Sequence, residues 1–452
     1  MKIRFFALLS LILGFVSISQ AREMGEPDLS GDDFIKRFTA NYGVLSEKEP
    51  PLSDLEIAVL KKLAPMMRVN KDYAQSLLKS MTVAEDESSA TFNYLLGNVY
   101  FENNEYLLAE EEYKAAIESF PDFQRAWTNL GVLKLRSGDT RNALKAFLRA
   151  VELGDNDAHT FGMLGFCHYS EGNYISAEVA YDRAMLAQPD NRDWLEGKAQ
   201  VYFKAERLVE AVRMQDELIS REPYNIDYWL AQANTYLAME DYSRTARNLE
   251  IVNFIGAADF HALNLLGNLY TKMKMPGPAS DAYLAAANYA DPSNIEFLVN
   301  SANILFKGKQ YAAARALFEK ANPSAASVSP EILYKYRILA GDFAQRDGLI
   351  DEAISFFEEA ETLDPLDGAV LVRLAKLHDQ KGNRDKAYFL LDRAEGDPEA
   401  EFEALLTRVK FLVEEERFEE SQVFVGRALK LQSTESIQNL YAQVEQAAQA
   451  TK

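Results

Sequence analysis

The sequence predicts an all-α fold, an elongated array of about ten helical hairpins stacked in a row. Three observations predict it. Small residues, aromatics and prolines recur with a period near 34 residues over most of the 452-residue chain. Each period holds two stretches of helix length joined by a short polar turn such as "ENNE", "RSGD" or "SEGN". Several periods close on a proline (Pro121, Pro189, Pro223, Pro365), which cannot continue a helix and turns the chain into the next period. A chain this long exceeds one compact core, whereas an array grows without limit because each hairpin buries its apolar side against its neighbours.

Taken in order, residues 1–21 read as an export signal. Lys2 and Arg4 precede the apolar run "FFALLSLILGFVSIS", which is too short to span a bilayer, and "SQA" supplies a small-x-small cleavage site at Ala21. Residues 22–89 lack the period. They read as polar linker with helices over 54–69 and 71–81, either a cap or a degenerate hairpin. Seven hairpins follow over 90–322, an inserted loop over 323–333, three further hairpins over 334–434 and a capping helix over 435–452. Within the hairpins, Gly97, Gly131, Gly165, Gly267 and Gly341 fall at one position, and Tyr113, Phe147, Tyr181, Tyr283 and Phe357 sixteen residues later. A small residue lets two crossing helices approach, and the aromatic fills the volume beside it.

Numbered within a hairpin, the small residues sit at positions 8, 20 and 27, the aromatics at 11 and 24 and the proline at 32. This pattern resembles the tetratricopeptide repeat over about residues 90–434. The resemblance implies a superhelical solenoid that binds proteins, with positions 2, 5, 9, 12 and 13 of each first helix facing inward. Those positions carry an aromatic and apolar strip, Tyr94, Phe101, Leu135, Phe166, Tyr169 and Phe203. They also carry amides at one repeated position, Asn98, Asn234, Asn268 and Asn303, which suit hydrogen bonds to the backbone of an extended peptide. The position-5 lysines with which some members grip a C-terminal carboxylate are replaced by Tyr94, Thr128 and Gly162, so that activity is not expected.

Composition narrows the partner. A hydrophobic fraction of 48% argues for a packed chain, and a net charge of −21 repels nucleic acid while attracting basic segments. No second apolar run is long enough to span a membrane after signal cleavage. The single cysteine, Cys167, allows no internal disulfide and reads as a packed helix residue. His168 and His378 occupy position 11 and read as packed imidazoles. With His159 and His261 they form no metal-ligand spacing, and no phosphate loop or nucleophile motif occurs, so neither enzyme activity, metal nor cofactor is expected.

Two stretches, 152–194 and 228–252, resemble exported repeat proteins encoded beside the TonB–ExbB–ExbD components of Gram-negative bacteria. That resemblance implies a periplasmic scaffold for an envelope complex, with a basic, Pro-rich envelope segment as partner. Scaffolding of secretion, pilus or outer-membrane assembly is the alternative within the binding class. An enzyme, or a regulatory subunit of one, is the alternative outside it.

Overall fold

The computed structural model describes residues 49–69, 71–83, 89–322 and 328–450. The expected signal at 1–21, most of the 22–53 linker and part of the expected 323–333 loop lie outside the described residues. The chain divides after Ala257 into an N-terminal and a C-terminal body. The described residues of both are all-α, in hairpins stacked in chain order.

The N-terminal body opens with α1 (Asp54–Val69) and α2 (Lys71–Val83), followed by five hairpins. These pair α3 (Ala90–Glu102) with α4 (Tyr106–Ser119), α5 (Gln124–Arg136) with α6 (Thr140–Glu152), and α7 (Ala158–Ser170) with α8 (Tyr174–Ala187). Then come α9 (Arg192–Lys204) with α10 (Leu208–Arg221), and α11 (Ile226–Ala238) with α12 (Tyr242–Phe254). Leu63 of α1 and Ala74 and Leu78 of α2 are fully buried in the same apolar cluster as Leu95, Leu96 and Val99 of α3, so the first pair stacks on the array. The side chains that precede the first helices of the later hairpins cap them. Asp157 accepts from the His159 amide at 2.7 Å, Asn191 from Asp193 at 2.9 Å and Asn225 from Asp227 at 3.2 Å.

The C-terminal body pairs α13 (Phe260–Lys272) with α14 (Pro276–Ala287), α15 (Ile295–Lys307) with α16 (Tyr311–Ala321), and α17 (Pro330–Arg346) with α18 (Ile350–Leu363). It continues with α19 (Gly368–Gln380) and α20 (Arg384–Ala394), α21 (Glu401–Glu414) and α22 (Phe418–Leu431), and ends in α23 (Glu435–Ala450). Two boundaries differ from the sequence reading: α2 runs to Val83 instead of 81, and the start of α17 comes earlier than expected. The loop expected to reach residue 333 ends at Ser329, because Ser329 caps α17 and Pro330 starts it, a position where the missing amide hydrogen costs nothing.

Every one of the ten hairpins turns through a left-handed residue at the same place. Asn104, Gly138, Gly172, Glu206, Glu240, Lys274, Lys309, Gly348, Gly382 and Glu416 have φ between 57° and 78°. The interval is 34 residues except at 35 before Lys309 and 39 before Gly348, where the repeat lengthens. In each turn the next amide bonds back across the helix end, as Glu105 N–H does to the Tyr100 carbonyl at 2.8 Å and Met275 N–H to Tyr270 at 2.8 Å.

The small-to-large pairing of the repeat is physical contact. A β-carbon placed on Gly97 would lie 2.7 Å from the Tyr113 ring, one on Gly131 2.7 Å from Phe147, and one on Gly341 2.7 Å from Phe357. Ala177 and Ala184 are fully buried beside Tyr181 and Trp194. The tryptophans tie successive hairpins, with Trp127 Nε1 donating to the Pro121 carbonyl at 2.9 Å and Trp229 Nε1 to Pro223 at 2.8 Å. The pattern breaks in the fourth and fifth hairpins. Gln215 replaces the position-24 aromatic and is buried with Gln232, Thr235, Thr245 and Asn248. Hydrogen bonds replace dispersion there: Gln215 donates to Thr235 at 2.9 Å, and Asn248 to Gln232 at 3.0 Å.

Candidate protein-binding face

The residues expected to line the inner strip fall into two groups. Tyr94, Asn98 and Phe101 on α3 and Leu135 on α5 are buried in the array's own packing. The Tyr94 ring lies 4.9 Å from Phe123, and its hydroxyl accepts from Asn129 at 3.3 Å. Burial holds the Tyr94 phenol above the usual tyrosine range. Phe101 meets Tyr106 edge-on at 5.7 Å, and the Arg136 guanidinium sits 4.9 Å from the Tyr106 ring. These four side chains are thus corrected from binding surface to interior: Phe123 and Asn129 cover Tyr94, Tyr113 and Asn129 engage Asn98, Tyr106 covers Phe101, and Leu135 joins the N-terminal apolar cluster. The chain's own Glu49 contributes, pairing with Arg125 of α5.

Phe166 and Tyr169 on α7 and Phe203 on α9 are half-buried and keep an accessible edge. Phe166 packs against the N-terminal apolar cluster, and Tyr169 lies 6.2 Å from Tyr174. Of the expected strip, these three aromatics are the residues a partner reaches without displacing the array's own packing.

The amides also divide, for a legible reason. Asn98 Oδ1 accepts from the Tyr113 hydroxyl at 2.8 Å and from Asn129 at 2.8 Å. In the C-terminal body Asn268 Oδ1 accepts from the Tyr283 hydroxyl at 2.6 Å. In both hairpins the position-24 tyrosine uses the amide of its own first helix. Asn234 and Asn303 sit in hairpins whose position 24 is Leu249 and Phe318, which have no hydroxyl to donate. Both are half-buried and form no side-chain hydrogen bond among the described residues. Four matched amides therefore amount to two engaged acceptors and two available ones.

The remaining polar chemistry is structural. Burial pushes the Cys167 thiol up to about 12. Burial holds His168 and His378 below the usual histidine range, and nearby Lys386 adds to this at His378. In the C-terminal body Arg408 is buried and bonds Glu395 at 2.8 Å. Among the described residues no group of His, Cys, Asp and Glu is placed to hold a metal ion, and no helix is long and apolar enough to cross a membrane.

Stacked two-helix units closed by a left-handed turn, with a glycine or alanine under a position-24 side chain, define a helical-repeat protein. Over the segments that family profiles match, these units are tetratricopeptide repeats. Tetratricopeptide repeat profiles match residues 94–158, 168–226 and 344–409. The chain is 26% identical over 138 residues to Hsp70-Hsp90 organizing protein 3 of Arabidopsis thaliana, covering 30% of this chain and 24% of that protein. It is 24% identical over 200 residues to the human protein O-mannosyl-transferase TMTC1, covering 43% of this chain and 22% of that protein. The chain thus spans less than a quarter of the length of either relative. A solved tetratricopeptide repeat protein from Parabacteroides merdae ATCC 43184 is 16% identical, with a TM-score of 0.37, over 55% of this chain and 96% of that one. The repeats are those of protein–protein interaction scaffolds.

Proposed function

We propose that this chain is an exported scaffold that holds a segment of an envelope protein against the first-helix face of its N-terminal body. The observation that carries the reading is the accessible edge of Phe166, Tyr169 and Phe203 on successive first helices. An aromatic side chain removes roughly 150–250 Å² from water when covered, so three partly exposed ones supply most of an affinity. Asn234, with no hydroxyl donor at its own position 24, orients an extended backbone with an effect near 1 kcal/mol per hydrogen bond. The net charge of −21 speeds encounter with a basic partner and makes association salt-sensitive.

The export signal at 1–21 supports a periplasmic location. The resemblance of 152–194 and 228–252 to repeat proteins encoded with TonB–ExbB–ExbD components supports a role as an accessory of that energy-transduction system. A basic, Pro-rich periplasmic linker is the partner chemistry that fits both the aromatics and the charge. The test is crosslinking in the native host followed by mapping of the crosslinked peptides. The expected result is mature protein beginning near Arg22 in the periplasmic fraction, with crosslinks from α7 and α9 to a Lys- and Pro-rich envelope segment. Protein retaining Met1, or turnover of a substrate by the purified chain without any partner, contradicts the reading.

A further inference from the structure

The repeat supplies its own control for surface composition, and one helix departs from it. On the second helices of the second, third and eighth hairpins, positions 18, 22 and 29 are exposed. They carry Arg141, Lys145 and Glu152 in the second hairpin and Asp351, Ser355 and Thr362 in the eighth. In the third hairpin all three are large and apolar. Ile175 is 81% exposed, Val179 57% and Leu186 80%. They lie on one side of α8, at angular offsets within about 40° of each other. The opposite side of α8 is already used, with Ala177, Ala180, Tyr181 and Ala184 buried. An apolar stripe three turns long is therefore spent on solvent at the one helix where nothing in the array requires it.

The charges beside the stripe choose its occupant. Position 22 carries Lys145 on α6 and Arg213 on α10, the second helices before and after α8, and Arg183 lies at the edge of the stripe itself. All three are exposed, and none forms an ion pair among the described residues. The carboxylates of α8 are engaged, Glu178 with Arg207 at 2.6 Å and Asp182 with Lys198 at 2.5 Å. Among the charged side chains on α8 and at position 22 of α6 and α10, those left without an ion pair are all positive, on a chain of net charge −21. A second copy of the chain would set those cations against themselves.

We infer that the outer face of α8 is a docking surface for an acidic amphipathic helix of another protein, apolar along one side and carrying Asp and Glu along its flanks. The surface is on the far side of the hairpins from Phe166 and Tyr169, and it stands whether or not the first-helix face binds a partner. A scaffold so built joins a basic extended segment on one side to an acidic helix on the other.

The probes are two labelled peptides, each capped at both ends and four turns long. One has leucine along one face and glutamate elsewhere, and the other has lysine in place of each glutamate. The full-length chain is expected to bind the leucine–glutamate peptide at least tenfold more tightly than the leucine–lysine peptide. Ile175→Glu with Leu186→Glu, and separately Lys145→Glu with Arg213→Glu, should each weaken binding at least tenfold. Leu107→Glu with Leu366→Glu, equally exposed but isolated, should leave it unchanged, as should Phe166→Ala with Tyr169→Ala. Because Ile175, Leu186, Lys145, Arg213, Leu107 and Leu366 are exposed, circular dichroism of those variants should match the parent, and the half-buried Phe166→Ala with Tyr169→Ala pair serves as a control once its circular dichroism matches as well. No saturable binding at millimolar peptide, equal affinity for both peptides, or insensitivity to both glutamate pairs overturns the proposal. So does a concentration-dependent dimer, or binding to phosphatidylglycerol vesicles, that the Ile175→Glu pair abolishes in the absence of peptide binding.

Discussion

The ring of Tyr181 lies against Gly165 of its own hairpin, so close that a β-carbon on that glycine would meet it at 2.9 Å, while its hydroxyl end presses on Gly197 of the next hairpin. One aromatic thus sets the spacing within a unit and between units. Gly165→Ala should cost about 1–3 kcal/mol, as overpacking of a tight core does. The loss should appear as faster amide exchange in α7, α8 and α9, with α3 and α4 unchanged, because an array transmits strain to neighbours only. Uniform loss of protection across the N-terminal body would contradict it.

The turn residues offer a gain instead of a loss. Glu240 holds φ at 58°, a conformation in which its β-carbon is crowded and glycine is not. Glu240→Gly should stabilise the fifth hairpin by roughly 0.5–1 kcal/mol, since relief of strain exceeds the added chain entropy at such sites. Amide exchange of α11 and α12 reads this, and faster exchange in the variant would contradict it.

The tyrosine–asparagine pairs predict a difference between equivalent positions. Tyr113→Phe removes a donor from buried Asn98 and should cost about 1 kcal/mol, read as faster exchange in α3 and α4. Tyr283→Phe should cost less, because Asn268 is half-buried and water replaces the lost donor. Equal effects of the two substitutions would contradict the link between amide burial and the cost of a lost donor.

Cys167 predicts an alkaline limit. Its folded thiol titrates near 12 and the unfolded thiol near 9, so the folded state favours the protonated form. That contribution is complete below pH 9 and is lost as pH rises toward 12. Cys167→Ala should flatten this decline in chemical denaturation measured between pH 9 and 11. The native thiol should resist iodoacetamide at neutral pH and react once the chain is unfolded. Rapid alkylation of the native protein would contradict burial.

The architecture was legible because it is written in spacing. Gly97 with Tyr113 and Gly341 with Phe357 stand sixteen residues apart, and the lengthened intervals before Lys309 and Gly348 coincide with the sequence slips. The start of α17 is hidden because "SVSPE" has the composition of a loop, although Ser329 and Pro330 are a cap and a first-turn residue. The candidate site was legible only in part. Inward position does not decide exposure: Tyr94 and Phe101 are covered by neighbouring helices, while Phe166 and Phe203 are not. Amide availability depends on a residue fifteen positions away, Tyr113 for Asn98 and Leu249 for Asn234, a signal present in the sequence once the pairing is known. The apolar stripe of α8 carries no repeat signal, because it consists of positions that vary between hairpins.

The central claim is that the accessible aromatics of α7 anchor a partner. The most direct measurement is the affinity of the crosslinked envelope segment for the parent chain and for Phe166→Ala with Tyr169→Ala, both verified as folded. The account predicts at least a tenfold loss, about 1.4 kcal/mol. Unchanged affinity would show that these rings serve packing alone and would contradict it.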